Sequence, residues 1–147
     1  MRIPSILAAF IVMACAQDRP EVRRINPPTL YPTTNYAHVV STSGGRTIYV
    51  SGLVPLDKEG KLVGADDFTA QTRQVFENVK AALAAAGATM DDVVKIDLYV
   101  LDASQIAKFR EVRSQYFKDP PASTGVEVRA LIRPGVMIEM DAIAVAK

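Results

Sequence analysis

The sequence predicts an α+β domain of order β-β-α-β-α-β-β, with two helices on one face of a mixed sheet. Three observations carry this. Phe68, Thr72, Val75, Val79, Leu83 and Ala86 recur at spacings of three and four, while Arg73, Glu77 and Lys80 cover the other side; that is the period of an amphipathic helix. Val94, Ile96, Leu98 and Val100 alternate with Lys95, Asp97 and Tyr99, the period of a half-buried strand. Two β-branched, apolar runs at 38–42 and 47–54 flank Ser43-Gly44-Gly45-Arg46, which reads as a hairpin turn.

The remaining elements follow in chain order. Pro55 ends the second strand, and Gly60 turns the polar loop after it. Asp66-Asp67 offers an N-cap to the first helix and Gly87 a C-terminal stop. A second helix is expected from about Ser104, with Ile106, Phe109, Val112 and Tyr116 as its apolar stripe. Pro120-Pro121 forbids its continuation. Strands at 124–132 and 136–146, joined by Arg133-Pro134-Gly135, close the domain. Two helices cover one face of such a sheet and leave the other to be covered or wet. On the last strand that second face carries Met137, Glu139, Asp141, Ile143 and Val145, a mixed set for which an oligomer interface is the natural cover.

The chain has 147 residues, 49% hydrophobic and 22% charged, which suits one domain with a core of its own. A net charge of +1, no Trp, five Phe and five Tyr argue against nucleic acid as a partner. Residues 1–16 read as a targeting segment: Arg2 is a short positive region, and the run from Ile6 to Ala14 is apolar but too short to span a bilayer. Two processing routes stay open, beside the alternative that the segment is a buried or frayed N-terminal helix of a cytosolic protein. Ala14-Cys15-Ala16 is a cleavage site that makes Gln17 the first mature residue. Val12-Met13-Ala14-Cys15 resembles a lipoprotein box in which Cys15, the only cysteine, becomes lipidated. The expectation is an exported protein, either periplasmic or a lipoprotein whose sole membrane contact is that anchor. Residues 17–35, rich in Pro, Thr and charge, read as a tether and entry loop, and 36–147 as the domain.

Several segments together resemble the RidA/YjgF family of enamine and imine deaminases. They are Pro121-Ala122-Ser123-Thr124-Gly125-Val126-Glu127-Val128, Ile138-Glu139-Met140-Asp141-Ala142-Ile143-Ala144, Ser51-Gly52-Leu53-Val54-Pro55, Gln71-Thr72-Arg73-Gln74-Val75 and Ala85-Ala86-Gly87-Ala88. The likeness covers residues 36–146. It implies a chorismate-mutase-like fold, a homotrimer, and clefts between subunits that take a small imino- or keto-acid-like ligand. It implies no cofactor and no metal. Carried over by position, Glu139 orients and activates the attacking water, while Tyr36, Gly52 and Gly125 line the ligand. The family's motif has an arginine that grips the substrate carboxylate, and Ser123 stands in its place. A hydroxyl cannot form that charged, two-pronged pair, and its loss costs about 2–5 kcal/mol of binding unless another group replaces it.

Arg113 is a candidate replacement. Its spacing from Phe109, Ile106 and Phe117 puts a guanidinium along the apolar stripe of the second helix. It either enters the cleft or reaches back to a carboxylate such as Asp119. His38, the only histidine, has no cluster of ligands around it and reads as structural or rim. Ser51 has no base at a useful spacing. Two functions remain: hydrolytic deamination with Glu139 as the water-orienting carboxylate, and a trimer that binds a small metabolite without turnover. A nuclease reading lacks the basic groove and acid-base pair it needs.

Overall fold

The computed structural model describes residues 20–147; the expected targeting segment and Cys15 lie outside them. The described chain forms β1 (Glu21–Ile25), β2 (Val39–Ser43), β3 (Arg46–Leu53), α1 (Phe68–Ala85), β4 (Val93–Val100), α2 (Ile106–Arg113), β5 (Ala122–Glu127) and β6 (Ile138–Ala146). Short 3-10 turns at Met90–Asp92 and Ala103–Gln105 lead into β4 and α2.

Helix α1 begins and ends for local reasons. Asp67 is extended, and its Oδ1 accepts the Ala70 N–H at 3.0 Å, so one orphan donor of the first turn is satisfied. At the other end Gly87 takes φ 70°. Its N–H donates to Ala84 O, and the Ala88 N–H donates to Leu83 O, the paired bonds of a Schellman stop. Helix α2 is shorter than its stripe predicts. Arg113 O accepts from Tyr116 N–H and Phe117 N–H, and these bonds turn the chain toward Pro120-Pro121.

The main sheet has the order β3-β6-β4-β5. β6 is antiparallel to both β3 and β4, while β4 and β5 run parallel, so the sheet is mixed, as expected. Ile48, Val50, Ile96, Leu98, Ile138, Met140, Ala142 and Ala144 point under the helices and meet Val75, Phe76, Val79, Leu83, Phe109 and Val112. Fully burying a Val, Leu, Ile, Phe or Met side chain stabilises the fold by roughly 1.5–3 kcal/mol. Phe76 is the centre of the helix layer. It stacks on Tyr116 (centroids 4.5 Å apart) and Phe109 (5.7 Å) and meets Phe117 edge-on. Among the described residues the opposite face is largely open: Tyr49 is 78% exposed, and Lys95, Asp97, Tyr99, Glu139, Asp141 and Ile143 lie half-buried beside it, while Val145 at its end is buried.

Three expectations are corrected. The hairpin of 38–42 with 47–54 does not form, because each strand has another partner. β3 carries the buried Ile48 and Val50 into the main sheet beside β6, while the largely exposed β2 pairs with β1 in a separate ribbon. Gly44 and Gly45, at φ 69° and 80°, turn the chain between the two sheets. Residues 21–25, expected within the tether, are therefore a strand. The predicted strand at 124–132 is β5 at Ala122–Glu127, an edge strand beside β4 and not beside β6.

Gln71 is a buried polar residue whose amide nitrogen and oxygen are both partnered. Its Nε2 donates to Gly64 O (3.1 Å) and Gly135 O (2.8 Å), and its Oε1 accepts the Met137 N–H (2.8 Å). The helix thereby fixes the entry to β6, the strand that carries Glu139.

Candidate active site

Four of the residues singled out in the sequence come together. Tyr36, Arg113, Ser123 and Gly125 line one cavity of about 150 Å³, with Asn35, Leu98, Ile106, Phe109 and Arg110. A hollow of that size takes a small molecule of about six non-hydrogen atoms. β5 supplies the floor: Ser123 and Gly125 sit opposite Ile96 and Leu98 of β4, so the Ser123 side chain and the bare face of Gly125 are turned to the helix layer. α2 supplies one wall. The segment before β2 supplies the rim, held by the Ala37 N–H donating to Pro121 O at 3.3 Å. Tyr36 and Tyr31 share a hydroxyl hydrogen bond of 2.8 Å, and both rings meet His38 edge-on. The His38 N–H and ring Nδ1 are both within bonding distance of Asn26 Oδ1, so this histidine braces the rim.

Arg113 is the charged centre of the cavity. It is 8% exposed, and its Cζ lies 5.9 Å from the Phe109 ring centroid, within reach of a cation–π contact. Burial, and secondarily the like charge of Arg110, lowers its pKa from the ordinary arginine range, yet a guanidinium keeps its proton throughout the working range of proteins. Among the described residues it makes no ion pair. Asp119, the carboxylate to which it could have reached back, lines a different hollow with Lys118 and Arg24. A buried cation without an acidic partner is costly, and an anionic ligand relieves that cost.

Gly52 and Glu139 lie elsewhere. Glu139 pairs in register with Tyr99 and stands on the open face, with Asp97 and Asp141 nearby. The charge of Asp141, then desolvation and its hydrogen bond, raise the pKa of the Tyr99 hydroxyl, with smaller contributions from Asp97 and Glu139. Gly52 sits against Glu139: a Cβ there would fall on Oε1 and lie 3.2 Å from Cδ. A bulge between Val50 and Leu53 brings Gly52 to this position. Within one chain, then, the carboxylate and the arginine cavity are on opposite faces of the sheet.

Sequence reasoning passed over Arg110 and Asn35. Arg110 precedes Arg113 by three residues, and that helical spacing was a signal that both share one side. Asn35 lies in a loop without periodicity and gave none.

The chain matches the family model described as "Endoribonuclease L-PSP" over residues 27–146. A RutC family protein of Pyrococcus abyssi is 45% identical over 101 residues, covering 68% of this chain and 79% of that protein. A protein named 3-aminoacrylate deaminase RutC, from Acinetobacter baylyi, is 34% identical over 119 residues, covering 80% and 90%. The crystal structure of YyfB from Yersinia pestis, a protein of unknown function in the conserved Rid family, superposes with a TM-score of 0.79 at 38% identity, covering 84% of this chain and 98% of that one.

These matches correct the expectation of export. The relatives are RutC and Rid proteins matched over most of their own length, and none is named as a secreted, periplasmic or lipidated protein. The signal peptide, the lipoprotein reading of Cys15 and the periplasmic location are withdrawn. Among the described residues no helix is long and apolar enough to cross a membrane.

Proposed function

We infer the function from one premise: this chain belongs to the endoribonuclease L-PSP family, that of RidA, YjgF and RutC. On that premise the protein is a hydrolytic deaminase of small, anionic enamines and imines of the 2-imino-acid type. The single observation that carries this reading is Arg113, buried and, among the described residues, without an acidic partner, in a cavity floored by Ser123. It supplies from α2 the positive charge that the family's motif carries at the Ser123 position.

In this mechanism the substrate carboxylate pairs with Arg113. Tyr36 and the main chain of Ser123 and Gly125 hold the planar imine, and Leu98, Ile106 and Phe109 keep water from its apolar end. An enamine first tautomerises to the imine. A water oriented by Glu139 then attacks the imine carbon. Glu139 accepts the water's proton and returns it to the nitrogen, giving a carbinolamine; it then takes the proton of the new hydroxyl and passes it to the same nitrogen as the C=O bond forms and the C–N bond breaks, and a 2-oxo acid and ammonia leave. Because Glu139 faces away from the cavity of its own chain, the carboxylate must come from a neighbouring copy. A homotrimer with inter-subunit clefts, as the family resemblance implies, brings the open face of one subunit to the cavity of the next. The exposed Tyr49 and Val126 on that open face support such packing.

The separation of Glu139 from the cavity also favours a second reading, a trimer that binds a small acid without turning it over. Freshly generated 2-iminopropanoate separates the two. The deaminase reading expects acceleration by the purified protein, lost in Glu139→Ala and in Arg113→Met. Saturable binding of 2-oxobutanoate with no acceleration would establish the binding module instead.

A further inference from the structure

The cavity holds two arginines, and only one is needed for a single carboxylate. Arg110 and Arg113 stand three residues apart on α2 and both line it. Neither forms an ion pair among the described residues. Their environments differ: Arg113 is buried, whereas Arg110 is exposed. Arg110 also borders a second, more open hollow of about 320 Å³, lined by Tyr31, Thr33, Thr34, Asn35 and Tyr36. Asn35, Tyr36 and Arg110 belong to both hollows, so the two adjoin at the Tyr36 rim.

One guanidinium saturates one carboxylate through two parallel N–H···O bonds. A monoanion on Arg113 leaves the charge of Arg110 uncompensated at the mouth of the same cavity. A ligand with a second anionic group satisfies both, with one end against Arg113 and the other against Arg110 in the outer hollow. We propose that this pocket selects dianionic acids, such as dicarboxylates of four to five carbons, over the monocarboxylates of similar size, and that Arg110 is the residue that reads the second charge. The inference rests on the assignment of Arg113 as the carboxylate-binding residue and names the substrate class of that same site.

The test is calorimetric titration of the full chain with 2-oxoglutarate, a dicarboxylate, and 2-oxobutanoate, a monocarboxylate. The wild type is expected to bind 2-oxoglutarate about twofold to fivefold more tightly, the worth of one additional partly exposed ion pair. Arg110→Gln removes that preference by weakening the dicarboxylate alone; being exposed, the residue can change with the thermal melt unmoved. Arg113→Met weakens both acids. Equal affinities in the wild type, equal losses in Arg110→Gln, or binding of neither acid would overturn the proposal. Unchanged binding of both acids by Arg113→Met would instead remove the underlying assignment of Arg113.

Discussion

Gly52 and Glu139 share one space. The glycine hydrogen faces the carboxylate, and there is no room for a methyl group between them. Gly52→Ala is therefore expected to swing the Glu139 carboxylate aside. The clash is with the far end of a flexible side chain, so the fold survives. Turnover falls by about tenfold to a hundredfold, as for a catalytic group displaced by about an ångström. Steady-state kinetics beside a thermal melt check this: an unchanged kcat would mean that the position of this carboxylate does not matter.

Gln71 ties three main-chain groups together from inside the core. Gln71→Leu keeps the bulk and leaves the Met137 N–H and the carbonyls of Gly64 and Gly135 without that partner. The expected loss is about 2–5 kcal/mol in urea unfolding. Because Met137 lies two residues before Glu139, activity in the folded fraction should drop as well.

Ser123→Arg restores the family's residue but places a third arginine in a cavity of about 150 Å³. Crowding and like-charge repulsion with Arg113 are expected to weaken binding of 2-oxobutanoate by about tenfold or more. The double variant Ser123→Arg with Arg113→Met exchanges the two charge positions and should recover most of the affinity. Titration of both variants decides whether the sites are interchangeable; a double variant no better than Arg113→Met alone would show that they are not.

The Tyr116 hydroxyl donates to Glu77 Oε1 at 2.8 Å. Burial first, then that bond and the Glu77 charge, push its pKa up to about 12. The folded pKa is above the unfolded value, so the native state holds this proton longer. The resulting stabilisation is complete below about pH 10 and is lost as pH rises through about 12. Melting temperatures across that window should fall more steeply for the wild type than for Tyr116→Phe.

The parts of the fold that were legible in the sequence are those with local causes. Asp67 and Gly87 bound α1 because capping is a matter of a few adjacent residues. The alternation in β4 survives because that strand is covered on one face only. Strand partners were less legible. Ser43-Gly44-Gly45-Arg46 carries a hairpin signal, but pairing is decided by which strands share a buried face, and Ile48 and Val50 take β3 to β6. Around the cavity, Tyr36, Ser123 and Gly125 had been singled out from the family likeness and Arg113 chiefly from its helical spacing. Arg110 was missed because an exposed arginine looks like any solvated charge until a cavity is seen beside it. That Glu139 sits on the other face follows from strand parity, but its meaning depends on a neighbouring copy that a single chain's sequence does not display.

The most direct test of the central assignment is a crystal structure of the assembled protein with 2-oxobutanoate bound. The account predicts the carboxylate on the Arg113 guanidinium, between Tyr36 and Ser123, with Glu139 of an adjacent subunit facing the ligand's 2-oxo carbon. A ligand bound away from Arg113, or an Arg113 turned to Asp119 with the acid in place, would contradict it.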